Sequence, residues 1–532
     1  MKKIRELKFE ELTTKQKLGI VHTPLIHEGI EPDKLDYIIE RIKERAIGIV
    51  WVQWRENKKF IPFYENAIKR IREAADYPIV IVTDAESGMG EYIIGKHGAL
   101  GTADSEQLAY AFGKATATVA RERGYDLVCN PILDIKDNGW VRSLGSDKYK
   151  IARLAVAEAR GMHDAGILTM AKHYPSAKRD KEVDTHIVEA VSSQSEEELI
   201  SECLYSYTEL MREGLLDSIM PGHTKMLKID PDAPTSMSKK CLDIIRRLGF
   251  DGVSMTDALD MTAIRSKYGR KECVGIALEA GNDVPLYYDL QPDVTQEALY
   301  ECYEKGIISD GALDTAVRRI LELQHKAYIN RTSDFAPLSD KEKAQAKSIN
   351  KAGIFAVLDE GTPLSIDRNG KYFFALMIKN EAFSGMDDVA VVDSFSNGWH
   401  YPSKITDKIL ELFPNSRVEM FCQFPTPLQN HKISNASLGY DDVIMITFTE
   451  YAAYAGPEHI TRRACALIEG MQHTGRIGTL IHFGNPKVCE ELPHIPRRIF
   501  GGVSADATLG CIEVLAGELS ANGTPNYELN LQ

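Results

Sequence analysis

Ionisable side chains directly follow several short apolar runs of this chain. Asp84 follows the run IVIVT, the pair Lys172-His173 follows ILTMA, and Asp257 follows GVSMT. Further polar residues beyond other runs are Asp134, Arg142 and His223. Carboxylates and cations make strong hydrogen bonds to hydroxyl groups. If these side chains converge, the composition of the site points to a neutral polyhydroxylated ligand such as a sugar.

Convergence requires that the runs be neighbouring parallel strands, whose carboxyl ends lie at one edge of a sheet. Through the first 330 residues, apolar β-branched runs alternate with helical stretches such as 107–123 and 195–212, the second opening on a capping box at Ser195–Glu198. The candidate strands are 18–22, 47–52, 79–83, 127–135, 167–171, 217–221, 252–256 and 283–287. This alternation predicts an α/β fold, with a TIM-like (β/α)8 barrel over residues 1–330.

A second domain follows a polar stretch that interrupts the alternation. We interpret 331–350 as a linker that runs into a helix, and 351–532 as a smaller α/β sandwich domain with an open sheet. Its candidate strands are 372–378, 389–393, 417–422, 442–448, 477–483 and 497–501, with a helical segment at 459–471.

The composition excludes several other classes of protein. The 532 residues carry 63 Lys+Arg against 77 Asp+Glu, and this net charge of −14 argues against a nucleic-acid partner. No apolar run is long enough to span a membrane, and the amino terminus has no apolar h-region of a signal peptide. Nine scattered cysteines without a CxxC pair are typical of a reduced, cytoplasmic protein. We expect no membrane partner, no cofactor and no metal, while a homodimer stays open.

The segment around Asp257 resembles a known catalytic sequence. DGVSMTDALDMTAI (251–264) is similar to the nucleophile segment of glycoside hydrolase family 3, above all its β-N-acetylhexosaminidase branch, and the lead-in 219–252, which contains His223, resembles the same branch. The resemblance implies that Asp257 is the nucleophile of a retaining β-glycosidase acting on small β-linked glycosides. It further implies that the sugar contacts Asp84, Arg142, Lys172 and His173, and we add His223 to these candidates.

One part of the family pattern is broken. The branch carries KH(F/I)PGHGxxxxD(S/T)H, and the resemblance implies an acid/base dyad between the His of GHG and the Asp of the closing triplet. This chain keeps Lys172-His173-Tyr174-Pro175 and Asp184-Thr185-His186, but Ser176-Ala177-Lys178-Arg179 replaces Gly-His-Gly. Asp184 therefore remains, while the expected proton donor is missing.

Three alternatives for the acid/base group stay open. A local residue, Glu182 or His186, can take the role. The second domain can supply Glu450 or Glu458, as in the β-glucosidase branch of the family. Finally, the chain can lack a strong acid and be a slow hydrolase, a transferase or phosphorylase, or a sugar-binding protein.

Overall fold

A computed structural model describes residues 4–136, 141–181, 183–288, 290–379, 401–451, 453 and 456–531. The chain forms two compact units. The barrel unit contains residues 1–93, 106–135 and 148–346, and the C-terminal unit contains 94–105, 136–147 and 347–532. Two short segments of the first 330 residues thus belong to the C-terminal unit.

The barrel unit is built on a curled parallel sheet. Its strands are β1 (Leu25–Ile26), β2 (Ile49–Val52), β3 (Val80–Thr83), β4 (Leu127–Val128), β5 (Leu168–Tyr174), β7 (Ser218–Pro221) and β9 (Val253–Ser254), hydrogen-bonded in that order. A parallel bridge from Met255 to Val284 adds the eighth predicted position. Between β5 and β9, β6 (Val191–Ser192) and β8 (Lys225–Met226) form a separate parallel pair. The expected α/β class and TIM-like order are confirmed.

The first predicted strand is wrong. Most of the run LGIVH (18–22) lies in a helix that spans Thr14–Ile20. A capping box formed by Thr13 and Gln16 starts this helix. The strand lies a few residues later, at Leu25–Ile26, where both side chains are buried. The burial of Leu18 and Ile20 therefore reflects the inner face of a helix, which a short apolar run does not distinguish from a strand.

Helices surround both sheets. They are α1 (Thr14–Ile20), α2 (Pro32–Lys43), α3 (Ile61–Ala74), α4 (Gly98–Ala103), α5 (Glu106–Glu122), α6 (Lys148–Asp164), α7 (Glu196–Glu198), α8 (Tyr205–Arg212), α9 (Lys239–Arg247), α10 (Thr262–Tyr268), α11 (Arg270–Glu279), α12 (Pro292–Glu304), α13 (Asp310–Thr332), α14 (Asp340–Ala352), α15 (Pro402–Leu412), α16 (Pro427–Ala436), α17 (Arg462–Gln472) and α18 (Ala505–Leu515). The Ser195–Glu198 capping box is present, and a π-helix over Leu199–Cys203 connects α7 to α8. Within the described ranges, no helix combines the length and apolarity needed to cross a bilayer.

The C-terminal unit contains a six-stranded sheet. Its strands are β10 (Phe355–Leu358), β11 (Tyr372–Ile378), β12 (Arg417–Cys422), β13 (Asp442–Phe448), β14 (Ile477–Phe483) and β15 (Arg497–Gly501), in the order β10-β15-β14-β13-β11-β12. Only the β10–β15 pairing among these is antiparallel. Five predicted strands are confirmed, β10 was not predicted, and the predicted strand 389–393 lies outside the described residues.

The predicted linker, 331–350, is largely helical. α13 continues to Thr332 and α14 begins at Asp340, so only a few residues between them are irregular. The two units meet along the chain at Ala346–Lys347, inside α14. The assignment of the two predicted functional domains stays a prediction.

Candidate active site

Asp257 lies directly beyond the carboxyl end of β9. Its backbone N–H donates to the carbonyl oxygen of Pro221 at 2.8 Å, which ties the turn to the neighbouring strand β7. The carboxylate Oδ1 accepts from the backbone N–H of Ala258 at 2.8 Å. Its second oxygen, Oδ2, lies 4.0 Å from Nε2 of His173, and the side chain is 26% exposed. The carboxylate is therefore held in place with one oxygen turned toward the imidazole.

The surroundings of Asp257 favour its ionised form. Burial raises the pKa of this carboxyl group, but His173, His223, the Ala258 N–H and Lys172 together outweigh burial and hold the pKa below its ordinary value. An ionised carboxylate that is partly exposed at the carboxyl end of a barrel strand can act as a nucleophile.

Lys172 joins two carboxylates from the loop that follows β3. Its Nζ lies 2.5 Å from Oδ1 of Asp84 and 2.6 Å from Oε1 of Glu86, while the lysine side chain is only 3% exposed. Asp84 is 38% exposed, so one carboxylate of this cluster reaches solvent. Glu86 was not among the predicted site residues, although its position two residues after Asp84 in the same post-strand loop was a usable signal.

His173 connects Asp257 to a further buried carboxylate. Nδ1 of His173 lies 2.8 Å from Oδ2 of Asp134, and the Asp134 side chain is 7% exposed. The ring is thus flanked by one carboxylate on each nitrogen, at 2.8 and 4.0 Å. His173, the predicted sugar contact, therefore lies beside Asp257, the predicted nucleophile.

His223 uses both ring nitrogens for protein contacts. Nε2 donates to the carbonyl oxygen of Ala258 at 3.0 Å, and Nδ1 accepts from the hydroxyl group of Ser236 at 2.8 Å. Burial lowers the pKa of His223, and His173 and His186 add to the lowering against the opposing effect of Asp257. This geometry favours a neutral imidazole that holds the Asp257–Ala258 turn, so the predicted sugar contact of His223 has little geometric support.

Asp184 has an imidazole partner two residues along its own loop. Oδ1 of Asp184 accepts from Nδ1 of His186 at 2.7 Å and from the His186 backbone N–H at 3.0 Å. The Asp184 side chain is 5% exposed and that of His186 is 23% exposed. The carbonyl oxygen of His186 accepts from the N–H of Thr262, the first residue of α10, which follows Asp257.

One of the two local alternatives, His186, thus contacts Asp184. The loop turns tightly enough for Asp184 to reach the histidine of its own triplet. The other local alternative, Glu182, lies outside the described residues.

The remaining predicted residues, Arg142, Glu450 and Glu458, belong to the C-terminal unit. The guanidinium of Arg142 lies 5.5 Å from the ring centre of Tyr451. Glu450 is ion-paired to Lys379 at 3.1 Å and is 10% exposed. Burial raises the pKa of Glu458 to about 7, against weaker opposing contributions from Asn485 and Lys96. Glu458 can therefore carry a proton near neutral pH.

Comparison with known proteins bears on the class of this chain. Residues 16–323 match the family described as Glycosyl hydrolase family 3 N terminal domain. A beta-hexosaminidase of Tolumonas auensis is 32% identical over 232 residues, which cover 41% of this chain and 69% of that protein. A family 3 beta-N-acetylglucosaminidase from Paenibacillus sp. str. FPU-7 has a similar structure, with a TM-score of 0.79 at 22% identity over 98% of this chain and 100% of that one. A beta-glucoside phosphorylase, BglX, bound to 2FGlc has a TM-score of 0.78 at 22% identity, covering 98% and 95% of the two chains.

A parallel barrel sheet that presents an ionised carboxylate beside a lysine–carboxylate cluster is the arrangement of a glycoside-cleaving enzyme. The chain belongs to glycosyl hydrolase family 3. It is a glycosidase of the β-hexosaminidase-like kind, as the sequence resemblance implied.

Proposed function

We propose that this enzyme hydrolyses small β-linked N-acetylhexosaminides with retention of configuration, with Asp257 as nucleophile and His186 as acid/base. The single observation that carries the proposal is the pairing of Asp184 with His186 on a loop tied to the segment after Asp257. The sugar preference draws on the curated relatives, which are named beta-hexosaminidases.

In the first step Asp257 attacks the anomeric carbon. A bond forms between its carboxylate oxygen and that carbon, the bond to the leaving oxygen breaks, and His186 gives its proton to that oxygen. In the second step His186 takes a proton from water, which attacks the anomeric carbon and releases Asp257 as a carboxylate. The first step requires Asp257 as an ionised nucleophile, and the second step releases it as a carboxylate. The groups that lower the pKa of Asp257 favour both steps.

His186 is suited to carry this proton because Asp184 occupies its Nδ1 atom. A carboxylate that accepts from Nδ1–H fixes the ring orientation and leaves Nε2 as the nitrogen that exchanges a proton with the substrate. His186 also lies near enough to His223, beside Asp257, to contribute to the lowered pKa of His223. General acid catalysis of this kind is worth about 10²–10⁴-fold in rate.

Asp84, Glu86, Lys172 and His173 are proposed to hold the sugar. The Lys172 ammonium is shared between the two carboxylates, which leaves their remaining lone pairs for hydroxyl groups of the sugar. Arg142 remains a proposed sugar contact on the resemblance alone.

One alternative has a specific observation in its favour. Glu458 has a pKa of about 7, which is suitable for a general acid supplied by the C-terminal unit in a β-glucosidase-like enzyme. The carboxylate of Glu450 is instead engaged in an ion pair with Lys379 at 3.1 Å.

The proposal is tested with aryl β-glycosides of N-acetylglucosamine, glucose, galactose and xylose. We expect cleavage of the N-acetylglucosaminide with the β-anomer released first, as followed by ¹H NMR. The variant Asp257→Ala should lose this cleavage. Asp164→Asn, a change at an exposed residue, should retain it. A panel without any cleavage, or a first product of α configuration, would overturn the proposal. A phosphate arm, in which the released sugar is analysed for a glycosyl phosphate, distinguishes hydrolysis from phosphorolysis.

We also propose a cytoplasmic location. All nine cysteines lie in the described part of the chain, none is in a disulfide, and eight of them are buried. Thiols of this kind suit a reducing compartment. Whether the protein is a homodimer stays a prediction that sedimentation can check.

A further inference from the structure

Asp134 lies behind His173, on the side away from the nucleophile. It follows the strand β4, its side chain is 7% exposed, and its Oδ2 lies 2.8 Å from Nδ1 of His173. Nε2 of the same ring lies 4.0 Å from Oδ2 of Asp257. A single imidazole thus spans a buried carboxylate and the proposed nucleophile.

The backbone fixes this arrangement. Ile132 and Lys172 form a parallel bridge, and the N–H of Leu133 donates to the carbonyl oxygen of Lys172 at 2.7 Å. Lys172 in turn donates its N–H to Pro131 at 3.1 Å. The residues directly before Asp134 and directly before His173 are therefore held side by side, so the Asp134–His173 contact does not depend on a flexible loop.

We propose that Asp134 is a positioning residue that acts through His173, holding its Nδ1–H so that the Nε2 side of the ring, and the positive charge that the ring can carry, face Asp257. This inference rests on the proposed role of Asp257. A carboxylate that accepts from one imidazole nitrogen fixes the tautomer and favours the charged ring. His173 is one of the groups that hold the pKa of Asp257 below its ordinary value, so the orientation of its ring bears directly on the proposed nucleophile.

The charged groups around this pair are defined. His173 faces Asp134, Asp257 and His223, and His223 is uncharged at neutral pH because burial lowers its pKa. The Nζ of Lys172 is directed to Asp84 and Glu86. Among the described residues, Asp134 is thus the carboxylate that contacts Nδ1 of His173, the ring nitrogen that faces away from Asp257. A change at Asp134 is expected to affect Asp257 through this ring.

Two variants separate charge from shape. Asp134→Asn keeps an oxygen that can accept from Nδ1–H but removes the negative charge, whereas Asp134→Ala removes both. We expect Asp134→Asn to fold and to lose at least about tenfold in kcat/KM at pH 7. The acidic limb of its kcat/KM profile, which reports ionisation of Asp257 in the free enzyme, should move to higher pH because Asp257 loses part of the positive charge that lowers its pKa. Asp134→Ala should lose more, and Asp164→Asn should match wild type.

A coupling experiment shows whether the effect passes through His173. In a His173→Ala background, Asp134→Asn should change kcat/KM by less than about twofold, since the residue through which it acts is gone. If the acidic limb of Asp134→Asn coincides with that of wild type, or if its loss persists undiminished in the His173→Ala background, the inference is overturned and Asp134 is merely structural.

A measurement that does not depend on catalysis distinguishes a failure of this inference from a failure of the proposed function. Long-range ¹H–¹⁵N NMR spectra identify which ring nitrogen of His173 carries its proton. We expect a hydrogen-bonded Nδ1–H in wild type and its loss in Asp134→Ala. An unchanged tautomer would overturn the inference even if the enzyme cleaves its substrate, whereas a changed tautomer in an inactive protein would count against the proposed function alone.

Discussion

Nδ1 of His186 lies 2.7 Å from Oδ1 of Asp184, two residues earlier on the same loop. The pair is tied to the start of α10 through the hydrogen bond from Thr262 to the carbonyl oxygen of His186. A short loop therefore contains a carboxylate, the imidazole that it orients, and a backbone anchor to the segment that follows Asp257, the proposed nucleophile. Four consequences of the site can be measured directly.

Replacing His186 should produce the kinetic signature of a lost general acid. We expect His186→Ala to lose about 10²–10⁴-fold in kcat/KM on substrates with poor leaving groups, such as alkyl N-acetylglucosaminides, because these need protonation. On a dinitrophenyl N-acetylglucosaminide the loss should be small, and the covalent glycosyl-enzyme should accumulate and be visible by intact mass spectrometry. Added azide should restore turnover and release the glycosyl azide.

Glu458→Gln and His459→Ala are matched controls for this prediction. Both lie in the C-terminal unit, and Glu458 represents the alternative acid. If Glu458→Gln shows the dependence on leaving group and the azide rescue while His186→Ala does not, the acid belongs to the C-terminal unit and the proposed role of His186 fails.

Asp184→Asn should behave as a weaker version of His186→Ala. The amide cannot hold the Nδ1–H as a carboxylate does, so the ring loses its fixed orientation and much of the stabilisation of its charged form. We expect a loss of roughly tenfold or more on poor leaving groups. In the double variant Asp184→Asn/His186→Ala, the losses should not add, because both changes disable one unit. Additive losses would show that Asp184 acts independently of His186.

Glu86→Gln should weaken substrate binding and leave the protonation chemistry intact. Glu86 shares the Lys172 ammonium with Asp84, and its removal leaves one carboxylate fewer for the sugar hydroxyl groups. We expect kcat/KM to fall about tenfold, mainly through KM, with the same relative loss on good and poor leaving groups. Glu91→Gln, an exposed residue later in the same loop, is the control. A loss confined to poor leaving groups would instead assign Glu86 to the acid/base chemistry.

Glu458 should make the stability of the protein depend on pH. Its pKa is about 7 in the folded protein, above the ordinary value of 4.5, so the folded state holds the proton more tightly than the unfolded chain. The contribution of Glu458 to the free energy of unfolding is therefore fully present below about pH 4.5, and it is lost as the pH rises through 7. The free energy of unfolding of Glu458→Gln, measured relative to that of wild type, should therefore be higher at pH 8 than at pH 5. The pKa shift corresponds to roughly 3 kcal/mol, and we expect only part of this because the side chain is partly exposed. Denaturant unfolding at both values checks this, and an equal difference at the two would contradict the raised pKa.

The elements of the C-terminal sheet were the easiest to predict. The strands at 372–378, 417–422, 442–448, 477–483 and 497–501 have the predicted bounds, because each contains a short cluster of apolar residues between polar breaks. The same rule failed at 18–22, where the Thr13–Gln16 cap makes an apolar run helical. Local capping overrode a pattern that resembles a strand.

The site was predictable in its residues and less so in its contacts. Asp257 and Asp84 were proposed because each lies shortly after a strand, and Lys172 because it lies near the carboxyl end of β5. Glu86 was missed although it lies two residues after Asp84 in the same loop, because its contact with Lys172 becomes visible only in the fold. The contact between Asp184 and His186 depends on the local turn of the backbone, which the amino-acid sequence does not reveal.

The segments 94–105 and 136–147 have a consequence for biosynthesis. The side chain of Asn526 donates to the carbonyl oxygen of Gly98 at 2.9 Å across 428 residues of chain, and Thr524 donates its N–H to Thr102 at 2.8 Å. Ribosomes add about 5–20 residues per second, so a nascent Gly98 waits roughly 20 to 90 seconds for this partner. The C-terminal unit therefore cannot form these contacts of α4 until the last residues of the chain have been synthesised.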